Sequence, residues 1–568
     1  MVLEIEIALV LERARRLLGD LWVQRAILVA GIVWVFWNGI WAGVPRSDHI
    51  LYLHQISQFD GLWDILSHSP AWNRITPPPD DIILYRPILY LLLGTFYYLF
   101  RYNFVAWQIA GLSLHVLVVL GLHLLLIQGR LKQTLFPLAI CLLFATAFFA
   151  SELVLWNHIV GYLLFSALEV FAVYFFLRFL QSDRAAFLIP CGALGLIAEF
   201  TYEAGVLVNL LFAATLFARS FSARVASTAV PQAPRTVDRW WALMFLLEAL
   251  LLPIGSLADL QARGFAFSPH LGIGFGPMVL LAGEDALLQI AFWLSAWLAP
   301  TVYHVTGVGR AIAGVSSLGL TPLRLLNLIA LAFLAVGGAL GLSRLRRSSV
   351  RWREPLLALG ISFFFLLGYS VIIAVGRTIP KGLMFVLQAN IYYSYIAYLT
   401  ICVGIAAATV VGRSRVEPSD LDEDPKPPRP AAASARSVHR PEVGWRLVPA
   451  LLILAFVNAC GVRELARAYR YDFAAPRQDV IDRLLAWHKD VENRTRRYFE
   501  VDPRCGGNET FHWFDETRLR KDSGWRPPVT LADALFPERS APLNASRVDI
   551  SRGSVDEIGC EGVSAPQK

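Results

Sequence analysis

A chain of 568 residues that is 56% hydrophobic, with only 17% charged residues and a mean hydropathy of +0.51, lies far from soluble domains, about a quarter of whose residues carry charge. That excludes an ordinary globular protein and points to a polytopic membrane protein. The net charge of +7 is mostly arginine and is accounted for by cytoplasmic loops, so no nucleic acid is implied and membrane lipids are the expected surroundings.

A bilayer core about 30 Å thick needs about 20 apolar helical residues. Residues 25–44, 104–127, 323–342 and 389–411 each come close to that length. Residues 1–24 carry Glu12, Arg13, Arg15 and Arg16, and no small-residue cleavage pattern follows the first span, so they read as a cytoplasmic segment before an uncleaved anchor. The first outer loop is then 45–103. Within it, "RPILYLLLGTFYYLF" (86–100) is short for a crossing and opens with Arg-Pro. Treated as a re-entrant or surface helix, it leaves Arg130, Lys132, Arg178, Arg184 and the arginines of 219–239 inside. The same reasoning makes "ALLQIAFWLSAWLAP" (286–300) a surface or re-entrant helix, since a crossing there would expel the arginines of 344–353.

Further along, outer turns are expected at 151–158 and at Thr201/Tyr202, with outer segments at 258–322 and 376–388. Residues 412–445 are rich in Pro, Ala and charge and read as a flexible cytoplasmic linker, 446–462 as the last span, and 463–568 as a small extracytoplasmic C-terminal domain. The fold class expected is all-α and polytopic, with about 11 transmembrane helices, a transmembrane domain over 25–411 and a small outer domain. Cys505 and Cys560 are the only cysteines in a soluble segment, which fits one disulfide in an oxidising compartment, two free thiols being the alternative.

Ionisable groups at span edges are costly unless they line a hydrated cavity, so their clustering at one side marks a candidate site. The outer ends gather Asp48, Arg86, Trp156 with His158, Glu199 with Glu203, Arg377 with Lys381, and Tyr392, Tyr393 and Tyr395. Glu199 and Glu203 would stack on one helical face if the helix continues through both, and so would Arg377 and Lys381. Structural alternatives stand beside these readings. Asp48 and Ser47 occupy a helix-cap position, Arg86 could snorkel from a surface helix, His115 and His123 read as packed span residues, and the aromatics could form an interfacial belt.

Three blocks, "SDHILYLHQI", "YRPILYLLLGTFYYLFRYNFVAWQIAGLSLHVLVVLGLHLLL" and "FATAFFASELVLWNHIVGYLLFSALEV", resemble successive blocks of the GT-C superfamily of membrane glycosyltransferases, closest to its bacterial O-mannosyltransferase-like branch. "AEFTYEAGVL" (198–207) resembles a later block of that family with a glutamate at the head of a span. The likeness covers 25–220, reaches faintly to 376–399 and says nothing of 463–568.

The resemblance implies transfer of a sugar from a polyprenyl-phosphate donor to a glycan, lipid or protein acceptor at the outer face of a bacterial inner membrane. A phosphate leaves without an acid, so one base suffices where a glycosidase needs two carboxyls. By this analogy Asp48 is the general base and Arg377 and Lys381 hold the phosphate. Arg86 would orient Asp48 or share the phosphate, with His158, Glu199, Glu203, Tyr392 and Tyr393 binding substrate. Relatives commonly carry two adjacent acids after the first span, whereas here Asp48 is followed by His49, which weighs against a carboxylate-pair metal site and leaves any divalent cation open. The alternative is a polytopic transporter or lipid-linked-sugar flippase, which should show ionisable groups near mid-bilayer and symmetry between halves. No such repeat or mid-span cluster is expected from the sequence.

Overall fold

The structure, a computed structural model, describes residues 19–45, 48–57, 59–72, 86–128, 135–225, 236–262, 353–374, 392–411, 444–475, scattered positions in 280–290 and 478–482, and three short strands further on. The span expected at 323–342, most of 286–300 and nearly all of the linker 412–445 lie outside the described residues.

Helix α1 (Leu21–Phe36) starts earlier and stops sooner than the span expected at 25–44, because Asp20 caps it: its carboxylate accepts from the backbone N–H of Trp22 at 2.7 Å and of Val23 at 3.3 Å. A short 3-10 turn (Gly39–Trp41) follows, then α2 (Asp48–Ser57), α3 (Leu62–Trp72) and α4 (Pro87–Phe100). The bundle continues with α5 (Phe104–Gln128), α6 (Phe136–Ala145), α7 (Phe149–Leu155), α8 (Gly161–Ser182), α9 (Leu188–Glu199), α10 (Gly205–Val225) and α11 (Thr236–Ala262). After the gap come α12 (Arg353–Ile373), α13 (Tyr393–Val411) and α14 (Gly444–Ala468), the last running on through a π-helical turn to Ala474, past the end expected at 462.

Among the described residues, the helical stretches Phe104–Gln128, Asn157–Ser182 and Val448–Tyr471 are long and apolar enough to cross a membrane, and α6 with α7, bent by 59° at their break, are so only when taken together, as a broken span or a re-entrant loop. The bend lies at Thr146, whose hydroxyl is 2.8 Å from the Leu142 carbonyl and 3.0 Å from the Ala455 carbonyl on α14. Fully buried aromatics fill the centre, with Phe149 stacked on Tyr398 at 4.2 Å between ring centroids.

Side-chain contacts sort the turns to two ends. At one, the Asn157 amide donates to the Gly43 carbonyl (2.9 Å), Gly43 lies so close to the Phe104 carbonyl that a Cβ would come within 2.2 Å of it, Tyr162 packs on Tyr202, and the Tyr369 hydroxyl donates to the Tyr393 carbonyl at 3.0 Å. This is the Arg86 end. At the other, Arg219 on α10 pairs with Asp183 in the α8–α9 turn and with Asp238 of α11 (3.4 Å), and His123 meets Gln24 at 2.8 Å. Arg178, Arg184 and Arg239 belong to this second end, the Arg219 end. Exposed tryptophans mark both: Trp22 and Trp240 near Arg219, Trp37, Trp41 and Trp63 near Arg86, as interfacial belts would have it.

Helix α4 does not run between the ends. Its first turn is tied to the 200–203 turn, the Ile88 N–H donating to the Phe200 carbonyl at 3.2 Å, while its last leads through Arg101 into Phe104 at the start of α5. Both termini therefore lie at the Arg86 end, and about 21 Å of apolar helix is laid across the bundle mouth. Pro87 at the first helical position, where no N–H is needed, suits that start.

In the tail, β1 (Tyr498–Val501) pairs in parallel with β2 (Ala545–Asp549), and β2 pairs antiparallel with β3 (Asp556–Ile558). The sequence reading assigned no strands to this segment. Cys505 and Cys560 lie outside the described residues.

Candidate functional site

The best-formed constellation at the Arg86 end is built on the docking of α4 against the α9–α10 turn. Arg86 donates from Nε to one Glu203 carboxylate oxygen at 2.9 Å and from Nη2 to the other at 2.8 Å, a bidentate fork. Its guanidinium also lies over the Tyr202 ring, 4.1 Å from the centroid. Arg86 therefore does not snorkel: its side chain is 13% exposed and committed to a partner through Nε and Nη2. Burial, outweighing the attraction of Arg86, pushes the Tyr202 phenol up, so it stays protonated.

Tyr202 opens an aromatic cluster. Its ring centroid is 4.0 Å from that of Tyr162, which is 5.2 Å from Tyr392 and 6.0 Å from Tyr393. The cluster continues through Tyr392 to Trp156, and Trp156 stacks on His158 at 5.8 Å. Glu152, on α7, accepts from the Tyr392 backbone N–H at 3.1 Å and so joins the start of α13 to this end.

His158 leads on to the opening stretch of the first loop. His49 is 1% exposed, stacked on His158 at 6.4 Å and set against Trp107 at 4.9 Å, and its Nε2 has no partner among the described residues. Asp48, immediately before it, is the first residue of α2 and so belongs to the first turn rather than to the cap position itself. Burial, and after it the neighbouring His158, hold His49 well below the ordinary 6.5. The folded protein thus keeps His49 neutral while the unfolded chain protonates it, so its contribution to stability is fully present above pH 6.5 and is lost as pH falls below that value. Thermal stability in neutral detergent is expected to drop between about pH 7.5 and about pH 5.5, and His49→Phe should flatten the drop. Equal pH slopes in the two proteins would remove His49 from that role.

Two expectations change. Glu199 and Glu203 do not share a helical face, because α9 ends at Glu199 and a turn held by Thr201 and Tyr202 N–H bonds to the Ala198 carbonyl intervenes. A Cβ on Gly205 would come within 2.3 Å of Glu199 Cα, so α10 restarts directly against that end. Glu203 goes to Arg86, whereas Glu199 turns into the bundle, accepting from Asn209 Nδ2 (2.8 Å) and the Leu252 N–H (3.1 Å). Ionisable groups are also not confined to the Arg86 end: Glu169 is buried within α8 and Glu248 sits within α11. Each is flanked on both sides by apolar residues, in "SALEVFAV" of α8 and "MFLLEALLL" of α11, and was hidden by that surrounding run.

Arg377 and Lys381 lie outside the described residues, so the structure brings together Arg86, Glu203, His158, Tyr392 and Tyr393 of the expected set. Tyr162, Tyr202 and Glu152 join them without having been assigned a role, although an acid four residues before Trp156 was a signal in the sequence, and so does His49, noted in the sequence only as standing where relatives carry a second acid. No group of three or more His, Cys, Asp or Glu side chains among the described residues is placed to hold a metal ion. Chemically, the arrangement offers a cation with spare donors and a run of aromatic faces suited to a hydroxylated ring. Comparison of the chain with family models, curated proteins and solved structures found no match in any of the three.

Proposed function

We propose that the chain is a GT-C-type glycosyltransferase that moves a sugar from a polyprenyl-phosphate donor to a glycan, lipid or protein acceptor, with the Arg86 end facing outward from a bacterial inner membrane. The observation that supports this reading is convergence. The sequence blocks that carry the likeness, around 48–57, 86–100, 149–160 and 198–207, are far apart in the chain and meet at one end of the bundle. In this reading Asp48 takes the acceptor proton, Arg86 Nη1 reaches the donor phosphate alongside Arg377 and Lys381, and the tyrosine cluster receives the sugar. The proposal includes about 11 spans and an extracytoplasmic C-terminal domain over 463–568. Incubating the purified protein with a panel of radiolabelled polyprenyl-phosphate sugars and envelope acceptors tests it, and absence of transfer across the panel counts against it.

Topology has its own test. In a background with the native cysteines replaced, Trp63→Cys should react with an impermeant thiol reagent in intact spheroplasts, and Arg184→Cys only after permeabilisation; both side chains are exposed, at opposite ends. The reverse pattern would turn the protein over in the membrane.

A second reading, a polytopic transporter, gains from one observation. Glu169 is 3% exposed within α8, and its Oε2 has no partner among the described residues, the kind of intramembrane carboxylate that transport pathways use. Counterflow of a lipid-linked or free sugar in vesicles, without transfer, would favour it.

A further inference from the structure

Away from the Arg86 end's aromatic cluster, helices α9, α10 and α11 meet over a column of polar atoms. Three positions on one face of α9 define it: Gly192, Gly195 and Glu199, spaced three and four residues apart. At Gly195 the absent side chain leaves room for Asn209 of α10, whose Oδ1 would be only 2.3 Å from a Cβ there. At Gly192 the space is taken from α11, with Glu248 Oε1 3.3 Å from the position a Cβ would occupy. Glu199 itself completes the column, and it contacts α11 again through Leu252, one helical turn beyond Glu248 and just before Pro253.

Counting donors exposes a deficit. Glu199 takes one Asn209 amide N–H and the Leu252 backbone N–H. That leaves Asn209 Oδ1 and Glu248 Oε2, both buried and both acceptors, with no partner among the described residues. Asn209 is 0% exposed. Acceptor oxygens confined together inside apolar helices are costly unless something positive lies between them. The glycines at the two matching positions belong to the arrangement: a side chain at 195 would displace the Asn209 oxygen, and one at 192 would meet the Met244 methyl at 2.9 Å and crowd Glu248 Oε1 at 3.3 Å.

We propose that the α9–α10–α11 contact is a cation site, in which Asn209 Oδ1 and the carboxylates of Glu248 and Glu199 hold a sodium ion or a proton. The chemistry is the same for both: a small positive charge shared by amide and carboxylate oxygens, without the thiolate and imidazole ligands a transition metal prefers. Among the described residues, the ionisable groups beside Glu248 are Glu199 and Cys191, both on α9. The site is independent of the glycosyltransferase reading, for it lies in a different set of helices from Asp48 and Arg86.

The full-length protein in neutral detergent tests it by thermal unfolding, in sodium chloride against N-methyl-D-glucamine chloride at equal ionic strength and across pH. If sodium is the occupant, Tm rises with sodium by something on the order of 5 °C. Glu248→Gln abolishes that rise and Glu169→Gln, in a neighbouring helix, keeps it. If a proton is the occupant, sodium has no effect, and wild-type Tm falls with rising pH relative to Glu248→Gln, which carries its hydrogen permanently. Comparing variants at each pH removes the contribution of His49, which has the opposite sign. Glu248→Met, which is of similar length and likewise cannot titrate, replaces Glu248→Gln where the latter does not fold. A wild type that ignores sodium and follows the same pH profile as the Glu248 variant overturns the proposal, leaving the orphan oxygens to ordinary buried water.

Discussion

Asp48→Asn is expected to reduce sugar transfer on the order of a hundredfold or more while leaving protein level, melting temperature and donor binding nearly unchanged. The separation follows from where the residue stands. Asp48 is the first residue of α2, a position where a carboxylate gains about 0.3–1 kcal/mol at most from the helix N-terminus, so trading it for an amide is expected to cost no more than that. Asparagine keeps the size and the acceptor oxygen but cannot take a proton. Transfer by Asp48→Asn membranes equal to wild type at matched protein level would sink the assignment. The search for a base would then move to Glu152, which reaches the start of α13 beside Trp156 and Tyr392. Glu203 is the poorer alternative, because both its oxygens are already engaged by Arg86.

The lie of the chain was legible to the extent that it depends on length and charge. The decision that 86–100 does not cross rested on where arginines would fall, and the contacts at both termini of α4 agree with it. Pairings made across the fold were not legible. Arg86 and Glu203 are 117 positions apart, and nothing local in either segment selects the other. They meet because α4 and the α9–α10 turn come to the same end. The spacing argument for Glu199 and Glu203 failed for a local reason: a four-residue interval describes a face only while the helix lasts, and the chain turns between them. Asp20 is a different case, a cap visible in the sequence and passed over because the apolar run beyond it dominated the reading.

Breaking the Arg86–Glu203 fork should have the largest effect on the fold at this end. Arg86→Met removes the guanidinium that grips both Glu203 oxygens, and Glu203→Met strands that guanidinium beside the Tyr202 ring. A fully buried pair would lose about 3–5 kcal/mol on such a change, and since the Glu203 side chain keeps 30% of its exposure, roughly 2–3 kcal/mol is expected. The double variant Arg86→Met/Glu203→Met should recover part of that loss, since it leaves no unpaired charge and the methionines can fill the space, with a coupling on the order of 2 kcal/mol in the cycle. What it cannot restore is a phosphate donor. Arg86 has Nη1 to spare after binding Glu203, and if that group reaches the donor lipid, the refolded double variant will melt near wild type yet transfer sugar tenfold or more slowly. A double variant that recovers both stability and transfer would make the fork a structural pin for α4 alone, and the phosphate would then rest on Arg377 and Lys381.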